Sequence, residues 1–252
     1  MTCDKGQEKK CLAEMHDLLS QYVDVPQREQ DQANRDTKED EEEELDIEAS
    51  IAAELNSLKP KSATSTSSDP WTMITLDIPC VSFIRLSQSP TPIDPVALVH
   101  KICTEAASNS SQKRSRYIKR LTPISLIRKS LGGGLESLCS TVLPPHFGPS
   151  QPPWKFAIRP SVRNKNNQLD RDVVIKVVAD EVGKLGEHKV DLTNYDKCIL
   201  VDVYRNVVGM SIVGKEYERL KRYNLAEIYE PGKAADDARV KGPNGQGPAL
   251  EH

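Results

Sequence analysis

The chain has 252 residues, 37% hydrophobic, 5% aromatic and 28% charged, with 13 glycines and 17 prolines. So polar a mix is more than one compact globule of this length would carry, and part of the chain is expected to lie outside any packed core. No stretch approaches the roughly 20 consecutive apolar residues that cross a bilayer, and the polar start MTCDKGQEKK lacks the apolar core of a secretory signal.

The periodicity of residues 8–22 predicts a helix with Leu12, Met15, Leu19 and Tyr22 on one face, a stripe that needs a partner. Residues 24–69 then read as an insert with little periodicity, ending in the Ser/Thr-rich SATSTSSD. Eight of the ten residues in EDEEEELDIE, 39–48, are carboxylates. Such a block repels itself and is expected to be disordered, either as a solubilising loop or as a nucleic-acid mimic guarding a basic face.

From Trp71, WTMITLDIPCVSFIRL is strand-forming, with Pro79 marking an edge or bulge. Asp94 as N-cap and Pro95 at the first position open a helix to about Ala107, with Val96, Val99, Ile102 and Cys103 inward. SRYIKRLTPI, 115–124, reads as a strand closed by Pro123. These elements compose a small α+β unit from Trp71 to about Leu121, completed by the N-terminal helix.

A second unit follows. Ser125–Val142 is expected to be helical on both sides of Gly132-Gly133-Gly134 and to stop at Pro144-Pro145. Trp154–Val162 is a strand placing Trp154, Phe156 and Ile158 on one face. Asp170 caps a helix with Val173, Val174, Val177, Val178 and Val182 inward. Cys198–Val203 and Val207–Val213 read as strands joined through Arg205-Asn206, and Glu216–Tyr229 as a last helix carrying Leu220, Tyr223 and Leu225. Beyond Pro231 the tail is Gly/Pro-rich and expected to be disordered.

The net charge of -3 conceals an asymmetry: residues 1–70 hold 8 basic and 18 acidic side chains, the remainder 26 and 19. Between Lys113 and Lys165 stand eleven basic residues and one acidic residue, Glu136. A run this one-sided calls for an anion, and polyphosphate backbones are the commonest in cells. Catalytic and metal chemistry find no comparable pattern. The six cysteines form no C-x-x-C pair and read as reduced core residues, and the five dispersed histidines suggest no zinc site. GMSIVGK, 209–215, matches a phosphate-binding loop until Glu216 stands where the metal-binding hydroxyl belongs. Asp191, Asp196 and Asp202 read as turn or surface residues, and His188 as a loop residue.

Three segments in order, FAIRPSVRNKNNQLDRDVVIKVVADEV, HKVDLTNYDKCILVDVYRNVVGMSIV and ERLKRYNLAEIYE, resemble a THUMP domain. With IDPVALVHKI, RYIKRLTPI and CDKGQEKKC upstream, the chain more closely resembles the eukaryotic THUMP-domain adaptors of tRNA acetylation. The resemblance implies an α+β fold: a ferredoxin-like N-terminal domain (1–26 and 70–121) around a disordered acidic insert (27–69), a THUMP domain (122–230) and a disordered tail (231–252). It implies no enzyme activity and no cofactor of its own. Such adaptors dock the acceptor end of tRNA and present serine and leucine tRNAs to a separate RNA cytidine acetyltransferase, which forms N4-acetylcytidine in the D-arm. Acetyl-CoA and ATP would belong to that partner; residence in the nucleus or nucleolus, and no membrane, would follow.

Lys113, Arg114, Arg116, Lys119, Arg120, Arg159, Arg163 and Lys165 are the expected phosphate contacts, and Asn164, Asn166 and Asn167 could hydrogen-bond unpaired bases. Two departures stand out. Tyr195 occupies a position where the family usually has proline, and the first strand is reduced to Met1-Thr2-Cys3, short or missing through an alternative start. The rival readings are an RNA-modifying enzyme with an unrecognised site and a protein-only scaffold.

Overall fold

The structure, a computed structural model, describes residues 1–23, 70–76, 78–87, 92–109, 113–163 and 169–230. The insert expected at 27–69 and the tail expected at 231–252 lie outside these residues.

Helix α1 (Glu8–Tyr22) buries Cys11, Met15, Leu18 and Leu19. That face is turned slightly from the expected one, leaving Leu12 and Tyr22 half-buried. Strands β1 (Trp71–Thr75) and β2 (Ser82–Leu86) form an antiparallel hairpin with Trp71 opposite Leu86, and Pro79 sits in its turn. Helix α2 (Pro95–Ser108) starts as its sequence predicts: the Asp94 side chain accepts from Val96 N at 2.9 Å, and Pro95 needs no partner for a missing N–H. Residues 1–3 run extended through this unit. Thr2 bridges Val81 on one side and Arg120 on the other, and Arg120 bridges Asn224.

Residues 115–124 do not form the expected strand; beyond the bridges at Arg120 they are irregular. The backbone N–H groups of 116–118 are taken by the Glu14 carboxylate instead of a neighbouring strand. Residues 125–131 are also not helical. Strand β3 (Leu126–Lys129) pairs antiparallel with β7 (Val207–Gly214), Leu126 opposite Met210. The ladder on that edge overrides a local pattern that would equally suit a helix.

Gly132 and Gly133 take φ of +67° and +77° to turn from β3 into α3 (Gly134–Val142). A Cβ on Gly134 would stand 1.7 Å from the Lys129 carbonyl oxygen, so the third glycine is a close-approach requirement. After Leu143 the chain does not stop at its prolines: Pro144 starts a one-turn helix, α4 (Pro144–Phe147).

Strand β4 (Lys155–Arg163) runs parallel to β5 (Lys189–Val190) on one side and to β6 (Lys197–Tyr204) on the other, giving the order β3-β7-β6-β4-β5. Helix α5 (Arg171–Leu185) is capped by Asp170, whose side chain accepts from Val173 N at 2.8 Å. Its fully buried residues are Val174, Val178 and Val182, spaced four apart, each worth roughly 1.5–3 kcal/mol of burial. Val177 is half-buried and Val173 exposed, so the inward stripe is narrower than expected.

The period of two divides the sheet's faces. Phe156, Ile158, Ile199, Val201, Val203, Val208, Met210 and Ile212 pack with α3 and α5. Ala157, Cys198, Leu200 and Val213 join the cluster built from Leu19, Val99, Ile102, Ile118 and Leu121. The two units therefore share one core across the sheet. Burial pushes the thiols of Cys11, Cys103, Cys139 and Cys198 up to about 12, leaving them protonated space-fillers.

The final segment is not one helix. It comprises α6 (Glu216–Arg219), a tight turn at Lys221–Tyr223 and α7 (Leu225–Tyr229). Asn224 caps α7, its Oδ1 accepting from Glu227 N at 3.4 Å and its Nδ2 donating to Glu227 Oε1 at 2.6 Å.

Candidate nucleic-acid interface

One carboxylate shapes the basic segment. Glu14, on α1, accepts from Ser115 Oγ and Arg116 N at 2.8 Å, Ile118 N at 3.0 Å and Tyr117 N at 3.1 Å. Residues 115–118 curl around it. Arg116 is exposed, whereas Lys119 and Arg120 are half-buried. Charge counting alone marked Lys113–Arg120, but nothing in the local sequence named Glu14, which lies about a hundred positions away.

Most of the expected contacts carry a carboxylate of the protein's own. Lys113 Nζ lies 2.7 Å from Glu230, Lys119 Nζ 3.1 Å from Asp4, Arg114 3.7 Å from Glu105 and Arg120 4.0 Å from Glu227. All eight side chains are at least a third exposed. Exposed pairs of this kind contribute about 0–1 kcal/mol, so they can exchange a carboxylate for a phosphate at little cost. Arg116 makes no ion pair among the described residues.

A second basic segment meets the first. Leu121 N donates to Tyr223 O at 3.0 Å and Ala226 N to Lys119 O at 3.4 Å, holding 119–121 alongside 223–226. Lys221 and Arg222, next to that pairing, thus stand near a cluster roughly one hundred residues earlier in the chain, and Lys215 and Arg219 precede them in the sequence. The continuous-helix reading hid them. A signal was present: the buried residues Leu220, Tyr223, Leu225 and Ile228 are spaced 3, 2 and 3 apart, which no single helical face allows. Asn224 followed three positions later by Glu227 also marks a new helix start. Lys221, Arg222 and Tyr223 have φ of 52°, 55° and 57°, a left-handed run that costs L residues roughly 1–2 kcal/mol each.

Arg159 and Arg163 leave β4 on the same side of the sheet, four residues apart. Arg159, 28% exposed, donates from Nη2 to Leu192 O at 3.0 Å, stands 3.6 Å from Glu218 and lies over the Tyr195 ring. Glu218 also accepts from Tyr195 Oη at 3.1 Å and Arg222 Nε at 2.8 Å. Burial pushes the Glu218 carboxyl up, but the donors Arg222 and Tyr195 outweigh it and hold it below the usual carboxylate range. Tyr195 is buried beneath this network and ties the 191–196 loop to α6. Arg163 is closer to solvent, 3.8 Å from Asp202. Asn164, Lys165, Asn166 and Asn167 lie outside the described residues.

The loop is self-organised. Asp191 Oδ1 accepts from Asn194 N at 2.8 Å and Thr193 N at 3.0 Å, bonds that, with Lys155, depress its carboxyl. Thr193, Asn194, Tyr195, Asp196, Lys215, Glu216, Glu218 and Arg219 line an open groove of about 510 Å³. His188 is structural: Trp154 N donates to its Nδ1 at 3.0 Å, so the proton on Nε2 goes to Phe147 O, 2.9 Å away. Gly209–Gly214 lies within β7, which leaves no phosphate-cradling loop there. Among the described residues no group of three or more His, Cys, Asp or Glu could hold a metal, and no helix is long and apolar enough to cross a membrane.

Residues 134–213, from α3 to near the end of β7, match the THUMP domain. The chain is 32% identical over 248 residues to the tRNA acetyltransferase TAN1 of Saccharomyces cerevisiae, covering 91% of this chain and 83% of that protein. The chain belongs to the THUMP-domain family. An uncharacterised protein of Schizosaccharomyces pombe is 34% identical over 231 residues, 91% of this chain and 75% of its own length. THUMP domain-containing protein 1 of Mus musculus is 30% identical, covering all of this chain and 69% of its own. In this THUMP protein the likeness therefore extends beyond the domain itself, through the first unit and its basic segment.

Proposed function

We propose that this THUMP protein is a tRNA-binding adaptor: it grips the acceptor end and presents serine and leucine tRNAs to a separate cytidine acetyltransferase. The product would be N4-acetylcytidine in the D-arm, with acetyl-CoA and ATP bound by the partner and the complex resident in the nucleus or nucleolus. The observation that carries the reading is the meeting of two basic segments, 113–120 and 215–222, on the first unit and the edge of the THUMP domain. The order β1–β2–Thr2–Arg120 through the bridges, with α1 and α2 as the intervening helices, supports a ferredoxin-like reading of the first unit. Lys113, Arg114, Lys119, Arg120 and Arg163 would exchange their own carboxylates for phosphates, Arg116 would take one directly, and Lys165 and Asn164 are the further contacts the sequence offers. Arg159 contributes by holding the 191–196 loop.

The name of the yeast relative, a tRNA acetyltransferase, favours a second reading, in which the chain itself transfers acetyl groups. The experiment that separates the two incubates the purified full chain with tRNA, acetyl-CoA and ATP, with and without the acetyltransferase. The adaptor reading expects N4-acetylcytidine only when both proteins are present. Acetylation by the chain alone would overturn it.

A further inference from the structure

Left-handed backbone is strained for any residue with a Cβ, and it persists where surrounding structure over-determines it. Here the turn Lys221–Tyr223 is fixed at both ends. Tyr223, 1% exposed, stacks edge-on against Tyr217 at 5.0 Å, and Leu220 and Leu225 are buried on either side. Lys221 and Arg222 carry the same strain yet bury nothing, since both are exposed. Glycine at either position would meet the backbone demand without strain. The fold gains the Arg222–Glu218 bond from the arginine but nothing from the lysine, whose side chain needs a reason outside it.

Their surroundings supply one. Arg222 is aimed by its 2.8 Å bond to Glu218, while Lys221 makes no ion pair among the described residues. On one side lie Lys119 and Arg120, held by the Leu121–Tyr223 hydrogen bond. On the other lies the groove lined by Thr193, Asn194, Lys215 and Arg219, with the carboxylates of Asp196, Glu216 and Glu218 also in its wall. We infer that the left-handed turn is a phosphate grip, in which Lys221 and Arg222 hold the ribose-phosphate chain as it passes from the 113–120 segment into that groove. This rests on the RNA-binding reading above and specifies where the strand runs.

The test exploits the opposite signs of strain and charge. Lys221→Gly and Arg222→Gly, in the full chain, are melted and titrated with tRNA across salt. Lys221→Gly is expected to raise Tm, by roughly 2–4 °C for a domain of this size, whereas Arg222→Gly, which also gives up the Glu218 bond, should gain less; each should lower the slope of log affinity against log salt by about 0.7–0.9. Lys221→Gln, which keeps the strain, should lose the slope without the gain in Tm. Exposed Lys176 on α5, changed to Gln, should alter neither. A higher Tm with unchanged affinity and slope would make the turn mere scaffold and overturn the inference, as would a lower Tm for Lys221→Gly. Absence of salt-dependent tRNA binding by the parent chain would sink the RNA-binding reading itself, and this inference with it.

Discussion

Glu14 offers the sharpest test of how the interface is built. Its carboxylate accepts from three backbone N–H groups and one hydroxyl of residues 115–118, at 2.8–3.1 Å. Hydrogen bonds to a charged group are worth about 1.5–3 kcal/mol each, but water can reach part of this half-buried site. Glu14→Ala should therefore cost about 2–4 kcal/mol in total. At 2–4 °C per kcal/mol for a domain of this size, Tm should fall by roughly 4–16 °C. Glu14→Gln keeps one acceptor oxygen and should lose about half as much. The effect on RNA is more discriminating. Removing an anion near a basic cluster ought to tighten tRNA binding if charge alone mattered, whereas losing the scaffold of 115–118 should weaken it. Melting, amide exchange at 116–118 and tRNA titration of Glu14→Ala check all three. Unchanged melting and exchange, with tighter tRNA binding, would refute the scaffold argument.

Removing competing carboxylates should act in the opposite direction: Asp4→Asn and Glu230→Gln free Lys119 and Lys113 and should raise tRNA affinity in a filter-binding titration without a large change in Tm. Arg159→Ala, by contrast, should lower stability by about 1–3 kcal/mol through the orphaned Leu192 carbonyl and the lost Glu218 ion pair, and leave the salt slope within error of the parent. Acid should loosen the 191–196 loop first. The folded-state carboxyls of Asp191 and Glu218 lie below their ordinary values. Their stabilisation is therefore complete above the ordinary carboxylate range and is lost as pH falls through the depressed pKa values. Amide exchange at Thr193 and Asn194 should accelerate below about pH 4, earlier than exchange in β6 and β7.

Where sequence and structure agree, the cause is local. Asp94-Pro95 and Asp170 announce helix starts because capping involves neighbours two or three residues away. The Arg205-Asn206 hairpin is legible because two alternating apolar runs flank it. The misread segments are those whose partners are remote. Residues 115–124 look like a strand until Glu14 claims their N–H groups, and 125–131 could form a helix until β7 offers an edge. The last segment looked helical because Leu220, Tyr223 and Leu225 are all apolar, although their spacing argued for a break. The same distinction governs the interface. The excess of cations between 113 and 165 can be counted, but the meeting of 113–120 with 215–222 depends on the bridge from Arg120 to Asn224. That Arg159 is occupied by Glu218 and Leu192 depends on the packing of α6.

The central claim, that these cations grip an RNA backbone, is tested most directly by titrating the full chain with tRNA between 50 and 200 mM salt, roughly the range over which phosphate contacts separate from neutral ones. The account predicts a linear fall of log affinity with log salt. It also predicts that replacing Arg116, Lys119 and Arg120 together by glutamine reduces the slope by about 2–2.7, three contacts' worth. A flat salt dependence, or the same slope in the triple variant, would contradict it.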